Sequence, residues 1–171
     1  SVREVDAAQA LLGKASKKGD VEGMQRAVAA GADARAAVYK FWDGSMGGSC
    51  TAAWLAADNN SGAGLRFLAG ACGVDPNAVG GTDTGWRPIH VACSYGHTDA
   101  VLVLLALGAD PTVASEYGRT PCMCAASYHS SGTPCLRALA AGGPGGALGG
   151  DAVNAVSKEG QTALDVALEF N

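Results

Sequence analysis

The sequence predicts an all-α solenoid, a stack of short helix-turn-helix units joined through tight turns. Three observations carry this expectation. Residues 84 to 110 are laid out as a tight turn at Thr84-Gly85-Trp86, a short helix from Pro88, a Gly96-His97 turn, a second helix through Leu104-Leu105 and a Gly108-Ala109-Asp110 exit. The helix-opening element Arg87-Pro88-Ile89-His90-Val91-Ala92-Cys93 returns 33 residues later as Thr120-Pro121-Cys122-Met123-Cys124-Ala125-Ala126, and stands 36 residues earlier as Thr51-Ala52-Ala53-Trp54-Leu55-Ala56-Ala57. A two-helix unit of this size cannot bury its own apolar face, so each implies neighbours on which to stack.

The elements follow in order. Ala15, Gly19-Asp20 and Gly31-Ala32-Asp33 mark an opening unit over about 5–37. The second unit, about 46–79, starts its first helix at Thr51 and leaves through Gly73-Val74-Asp75-Pro76-Asn77. In the third, about 82–114, Pro88 begins a helix because a first-turn proline gives up an amide hydrogen that has no helical partner. Gly96 supplies the open backbone that ends that helix. Ile89, Val101, Leu102, Leu104 and Leu105 are the apolar positions expected to fill the space between units. Asp110-Pro111 then turns the chain. The fourth unit, about 115–154, has Met123 in place of His90 and Tyr128-His129-Ser130-Ser131 in place of the Gly-His turn, so it is expected to be the least regular. A partial unit, 157–171, opens at Gly160-Gln161-Thr162, 42 residues after Thr120, as one helix with Leu164, Ala167 and Leu168 towards the stack. Two inserts interrupt the series: an aromatic and glycine-rich one near 38–48, and the glycine-rich run 143–150, which offers nothing to a core and reads as a surface loop.

The stretch 82–114 resembles the ankyrin repeat, whose signature is Gly-x-Thr-Pro-Leu-His-x-Ala-Ala, Gly-His, Leu-Leu and Gly-Ala-Asp. The other units are degenerate versions over the rest of the chain. The resemblance implies one ankyrin-repeat domain over 1–171 with β-turn fingers, a rigid protein-binding module without catalysis or cofactor. It also implies that His90 and His97 hydrogen-bond backbone groups, and it puts Asn77 and Asn154 at an exit-turn position open to asparagine hydroxylation.

Composition narrows the function classes. A net charge of −4 and a pI near 5.2, with no basic stripe, argue against nucleic acid. No apolar run approaches the length of a membrane span, and no secretory segment opens the chain. The first residue is Ser1, not Met, which fits a processed or trimmed piece. Six cysteines lack the spacing of zinc ligands. Cys93, Cys122, Cys124 and Cys135 instead occupy small or apolar core positions and read as buried reduced thiols. Reduced thiols predict an intracellular reducing compartment, the cytoplasm ahead of an organelle matrix.

Chemistry has few candidates. His129 with Cys124 or Cys135 is the one conceivable nucleophile pair, but no orienting residue or oxyanion feature accompanies it. The 143–150 run lacks the Lys-Ser/Thr ending of a phosphate loop. Trp54 reads as a core residue. The resemblance points to the fingers and the inner helix of each unit as the partner-binding surface. Mapped position by position, these are Asp83, Thr84, Trp86 and Tyr95, then Glu116, Tyr117, Arg119 and Tyr128, then Lys158. Ser94, Ser127, Glu159, Gln161, Asp58 and Asn59 map to the same surface, and Phe41-Trp42 sits in the neighbouring insert. Aromatics and Arg are the residues that dominate interface energetics. The rival reading is a permanent structural subunit of a large assembly, attached through the two inserts. Lys14, Lys17, Lys18 and Glu22 read as a polar cap at the amino end, leaving the carboxyl end as the contact-prone one.

Overall fold

A computed structural model describes residues 2–39, 49–80, 84–127, 132–141 and 153–169. Its helices are α1 (Val2–Lys18), α2 (Val21–Ala29), α3 (Ala52–Asp58), α4 (Gly62–Gly70), α5 (Pro88–Ser94), α6 (Thr98–Ala106), α7 (Pro121–Ala126), α8 (Gly132–Ala141) and α9 (Ala163–Glu169). They form two layers. The inner layer runs α1, α3, α5, α7, α9, each packed on the next, and the outer layer runs α2, α4, α6, α8. Each outer helix also packs on the inner helix that precedes it in the chain. This is the all-α solenoid that the periodicity predicts.

Small residues make the inner layer tight. Ala52, Ala53, Ala56 and Ala57 of α3, and Val91, Ala92 and Cys93 of α5, are buried. Helix starts are capped by side chains: the Asp20 carboxylate accepts from Gly23 N at 2.9 Å, and Ser61 Oγ accepts from Gly64 N at 3.2 Å. Thr51 and Thr120 do the same for α3 and α7. The turns between paired helices need a left-handed residue. Gly19 and Gly96 supply it at φ +67° and +69°, and Asn60 takes the same place at φ +53°. Asn60 also holds the next unit, because its Oδ1 accepts from Ala100 N at 3.0 Å.

Four expectations are corrected. Leu102 is half exposed, while Val103 is buried with Val101, Leu104 and Leu105. Leu102 and Ala106, four residues apart, form the outward stripe of α6. At α9, Leu164 and Leu168 lie outward at 67% and 69% exposure, and Val166 at 1% is the residue that packs inward. Ala163 shares that inward side, three residues from Val166, so α7 meets the other face of α9. The insert near 38–48 is entered by a short antiparallel pair, β1 (Ala37–Tyr39) and β2 (Ser49–Thr51), in register Val38 to Cys50, which the composition of the insert did not announce. Gln161 and Thr162 precede α9 and do not belong to it. The glycine-rich run 143–150 lies outside the described residues.

Candidate protein-binding face

The fingers are built from tight backbone turns. Ser115 N donates to Arg119 O and Gly118 N to Ser115 O, both at 2.9 Å. One finger further on, Ser157 N donates to Gln161 O at 2.9 Å and Gly160 N to Ser157 O at 3.0 Å. The Ser115 and Ser157 hydroxyls accept from Arg119 N and Gln161 N, so the same device recurs. Adjacent fingers are then joined by main-chain bonds. Glu116 N donates to Thr84 O at 3.1 Å, and Lys158 N to Tyr117 O at 3.0 Å. Such close approach requires glycine: a Cβ on Gly118 would stand 2.9 Å from Lys158 N, in a residue already at φ +75°.

Side chains brace the row from behind. Arg87 occupies the place held elsewhere by Thr51, Thr120 and Thr162, and its guanidinium donates to Asn77 O at 2.9 Å and Ala114 O at 3.1 Å. Asn77 in turn donates to Gly108 O and accepts from Asp110 N at 2.8 Å, tying two exit turns together. His90 Nδ1 accepts from Arg87 N, which leaves Nε2 as the donor to Val113 O and Arg119 O, each 3.1 Å away. Burial holds His90 neutral, its pKa lowered to about 4. His97 Nε2 donates to Asp58 O at 3.0 Å. Both histidines therefore stitch one unit to the next through backbone groups.

On this frame the expected binding residues separate into kinds. Among the described residues, Tyr117 on its finger and Tyr95 at the end of α5 are the exposed aromatics, at 52% and 44%. Tyr95 stacks on the His97 ring, with centroids 5.9 Å apart and planes 27° apart. Partial burial raises its phenol pKa, and Asp58 adds to the rise. Trp86 is half-buried, packs on the core and stacks on His90 at 6.2 Å. Thr84 and Arg119 are half-buried, and Glu116 and Lys158 are exposed. Thr84 with Glu116, and Tyr117 with Lys158, meet across neighbouring fingers. Phe41, Trp42, Asp83, Tyr128 and His129 lie outside the described residues. Asn60, Asn77 and Arg87 are the bracing residues that sequence reasoning did not assign, and the one signal for Arg87 is an arginine standing where its counterparts are threonine.

Among the described residues no group of His, Cys, Asp or Glu is arranged to hold a metal ion, and no helix is long and apolar enough to cross a membrane. The cysteines are free, and those at 93, 122, 124 and 135 are buried. Burial pushes the Cys124 thiol up to about 12.

The family model for ankyrin repeats matches residues 11–115 as three copies. An ankyrin repeat-containing protein of Schizosaccharomyces pombe is 38% identical over 69 residues, covering 40% of this chain and 31% of that protein. Protein phosphatase 1 regulatory subunit 27 of Mus musculus is 46% identical over 39 residues, covering 23% of this chain and 25% of its own length. The Homo sapiens protein of the same name is 41% identical over 39 residues. This chain thus spans less than a third of the length of each relative it matches. The matched repeats span more than half of the sequence, the helices stack in two layers and the fingers repeat, so the chain belongs to the ankyrin-repeat family, whose members are protein-interaction modules.

Proposed function

We propose that this chain is a non-catalytic protein-binding module that engages a partner protein through its fingers and the adjoining ends of its inner helices. The observation that carries the reading is the pair of exposed tyrosines, Tyr95 and Tyr117, held beside a finger row that main-chain hydrogen bonds lock in place. Preorganisation of this kind lowers the ordering cost of docking, since the side chains that meet the partner are already positioned. Glu116, Arg119 and Lys158 add charge of both signs around the aromatics. Thr84 and Trp86, both half-buried, belong to the same proposed face, and Asp83, Tyr128, Phe41 and Trp42 complete it. The raised Cys124 thiol pKa speaks against thiolate chemistry and so supports a non-catalytic role. The proposed units are 5–37, 46–79, 82–114, 115–154 and a partial 157–171, forming one domain. The likeness to a phosphatase regulatory subunit is one repeat long, which matches the repeat and not a partner.

Capture of the tagged chain's partners from native extract, beside the Tyr95→Ala/Tyr117→Ala variant, tests the reading. A hot-spot aromatic contributes about 2 kcal/mol or more, so each truncation is expected to weaken a captured partner roughly 30-fold. Partners that bind the variant as well as the parent would sink the assignment of this face. Co-purification in fixed ratio, insensitive to both substitutions, would favour the structural-subunit reading.

A further inference from the structure

We propose that the binding face carries a seat for an arginine side chain of the partner protein, built from the Tyr95 ring and the Asp58 carboxylate. The proposal rests on the face proposed above and names the chemistry of what docks there. The two residues belong to adjacent inner helices: Asp58 is the last residue of α3, and Tyr95 is the residue that caps α5. Repeat register brings them to the same end of the stack. Asn60 and Gly96 fill the same left-handed place, and Asp58 stands two residues before the first, Tyr95 one before the second.

His97 joins the pair. Its ring stacks on Tyr95, with centroids 5.9 Å apart, and its Nε2 donates to Asp58 O at 3.0 Å. Asp58 thus fixes the support of the tyrosine through its carbonyl, while its carboxylate lies close enough to raise the Tyr95 phenol pKa. A carboxylate beside the phenol disfavours a second negative charge there and favours a positive one. The ring is therefore held in place before a partner arrives, 44% exposed, with a negative group at its side. Nearby polar side chains are turned back on their own helices. Asn59 Nδ2 donates to Leu55 O at 3.0 Å, and Ser127 Oγ to Cys124 O at 2.7 Å, so they offer a partner less than Tyr95 and Asp58 do. Among the described residues no basic side chain lies in the last turn of α3 or α5. Lys17 and Lys18 close α1, on the side of α3 away from α5. The net charge of −4 draws a cationic partner from a distance. Arginine suits the seat better than lysine. Its flat guanidinium lies against an aromatic ring while its N–H groups donate sideways to a carboxylate, and it is more weakly hydrated than an ammonium.

Titration of the full chain with Nα-acetyl-arginine amide at fixed ionic strength, followed by nuclear magnetic resonance, tests the seat directly. Saturable shifts are expected at Tyr95, His97 and Asp58. The citrulline analogue keeps the shape of arginine without its charge, and is expected to bind at least about threefold more weakly, with the lysine analogue between the two. Asp58→Asn removes the charge of the seat and Tyr95→Leu its ring. Each is expected to weaken the arginine probe about threefold, and thermal unfolding checks that the fold persists. Equal binding of the arginine and citrulline analogues, shifts centred elsewhere, or a titration unmoved by Asp58→Asn would overturn the proposal. Partner capture separates this failure from that of the face. A partner lost in the Tyr95→Ala/Tyr117→Ala variant, yet held by Asp58→Asn as firmly as by the parent, overturns the arginine seat and leaves the face standing. A partner that the tyrosine variant holds as well as the parent overturns the face, and the seat as part of it.

Discussion

Gly118 and Gly160 occupy the same place in successive fingers, at φ +75° and +81°. They differ in what lies against them. A Cβ on Gly118 would meet Lys158 N at 2.9 Å and Ser157 Cα at 3.2 Å, whereas one on Gly160 meets nothing within 4 Å. Alanine at either position costs about 1 kcal/mol for a left-handed backbone. At Gly118 the methyl also presses on main chain, which yields less readily than the tip of a flexible side chain, and this adds roughly 1–3 kcal/mol. Gly118→Ala is therefore expected to lose about 2–4 kcal/mol and Gly160→Ala about 1 kcal/mol. Urea unfolding of the two variants gives the difference. Amide exchange at Lys158, whose N–H is bound by Tyr117 O, gives its location. Equal losses in the two variants, or Lys158 exchange unchanged by Gly118→Ala, would refute the idea that interlocked fingers hold the row together.

Four further outcomes are expected. His90 has a pKa of about 4 against an ordinary 6.5, so the unfolded chain takes up the proton first as pH falls. Its contribution is complete above pH 6.5 and is lost between 6.5 and 4, on the order of 3 kcal/mol, and a urea titration at a series of pH values should show this step shrink in His90→Met. Ser16 is fully buried and its hydroxyl has no hydrogen-bond partner among the described residues, so Ser16→Ala should raise the unfolding free energy by about 1 kcal/mol, read from the melting temperature. Asn60→Gly keeps the left-handed turn but removes the bond to Ala100 N, at a cost of about 1 kcal/mol, and Asn60→Ala should add roughly another 1 kcal/mol for the backbone, both measured by chemical denaturation. Leu104→Ala should cost about 2–5 kcal/mol, while Leu102→Gln should stay within about 0.5 kcal/mol; equal effects would contradict the outward placement of Leu102.

Legibility followed how locally each feature is encoded. Pro88, Pro121, Gly96 and Gly108 act through their own backbones, so the start and end of α5, the end of α6 and the start of α7 could be read from single residues. The fold class followed, because the spacing of those signals repeats. Facing was harder. Val101, Leu102, Val103, Leu104 and Leu105 form an unbroken apolar run in which composition marks no outward position, and only the packing of α4 and α8 on α6 turns Leu102 outward. In α9 a seven-residue helix has two apolar sides, and the side that α7 covers is Ala163 with Val166. Arg87 and Asn77 act over sequence separations of 10 to 33 residues, through carbonyls and amides that carry no signature of their own. On the candidate face, Tyr95 and Tyr117 were nameable from the repeat register. Their exposure, against the half-buried Trp86, depends on neighbours that the register does not specify.

Hydrogen–deuterium exchange of the chain with and without a captured partner tests the binding face most directly. Protection is expected at the fingers 115–119 and 157–161 and at the end of α5 around Tyr95, with α4, α6 and α8 unchanged. Protection confined to the outer helices, with the fingers exchanging as in the free chain, would contradict the assignment.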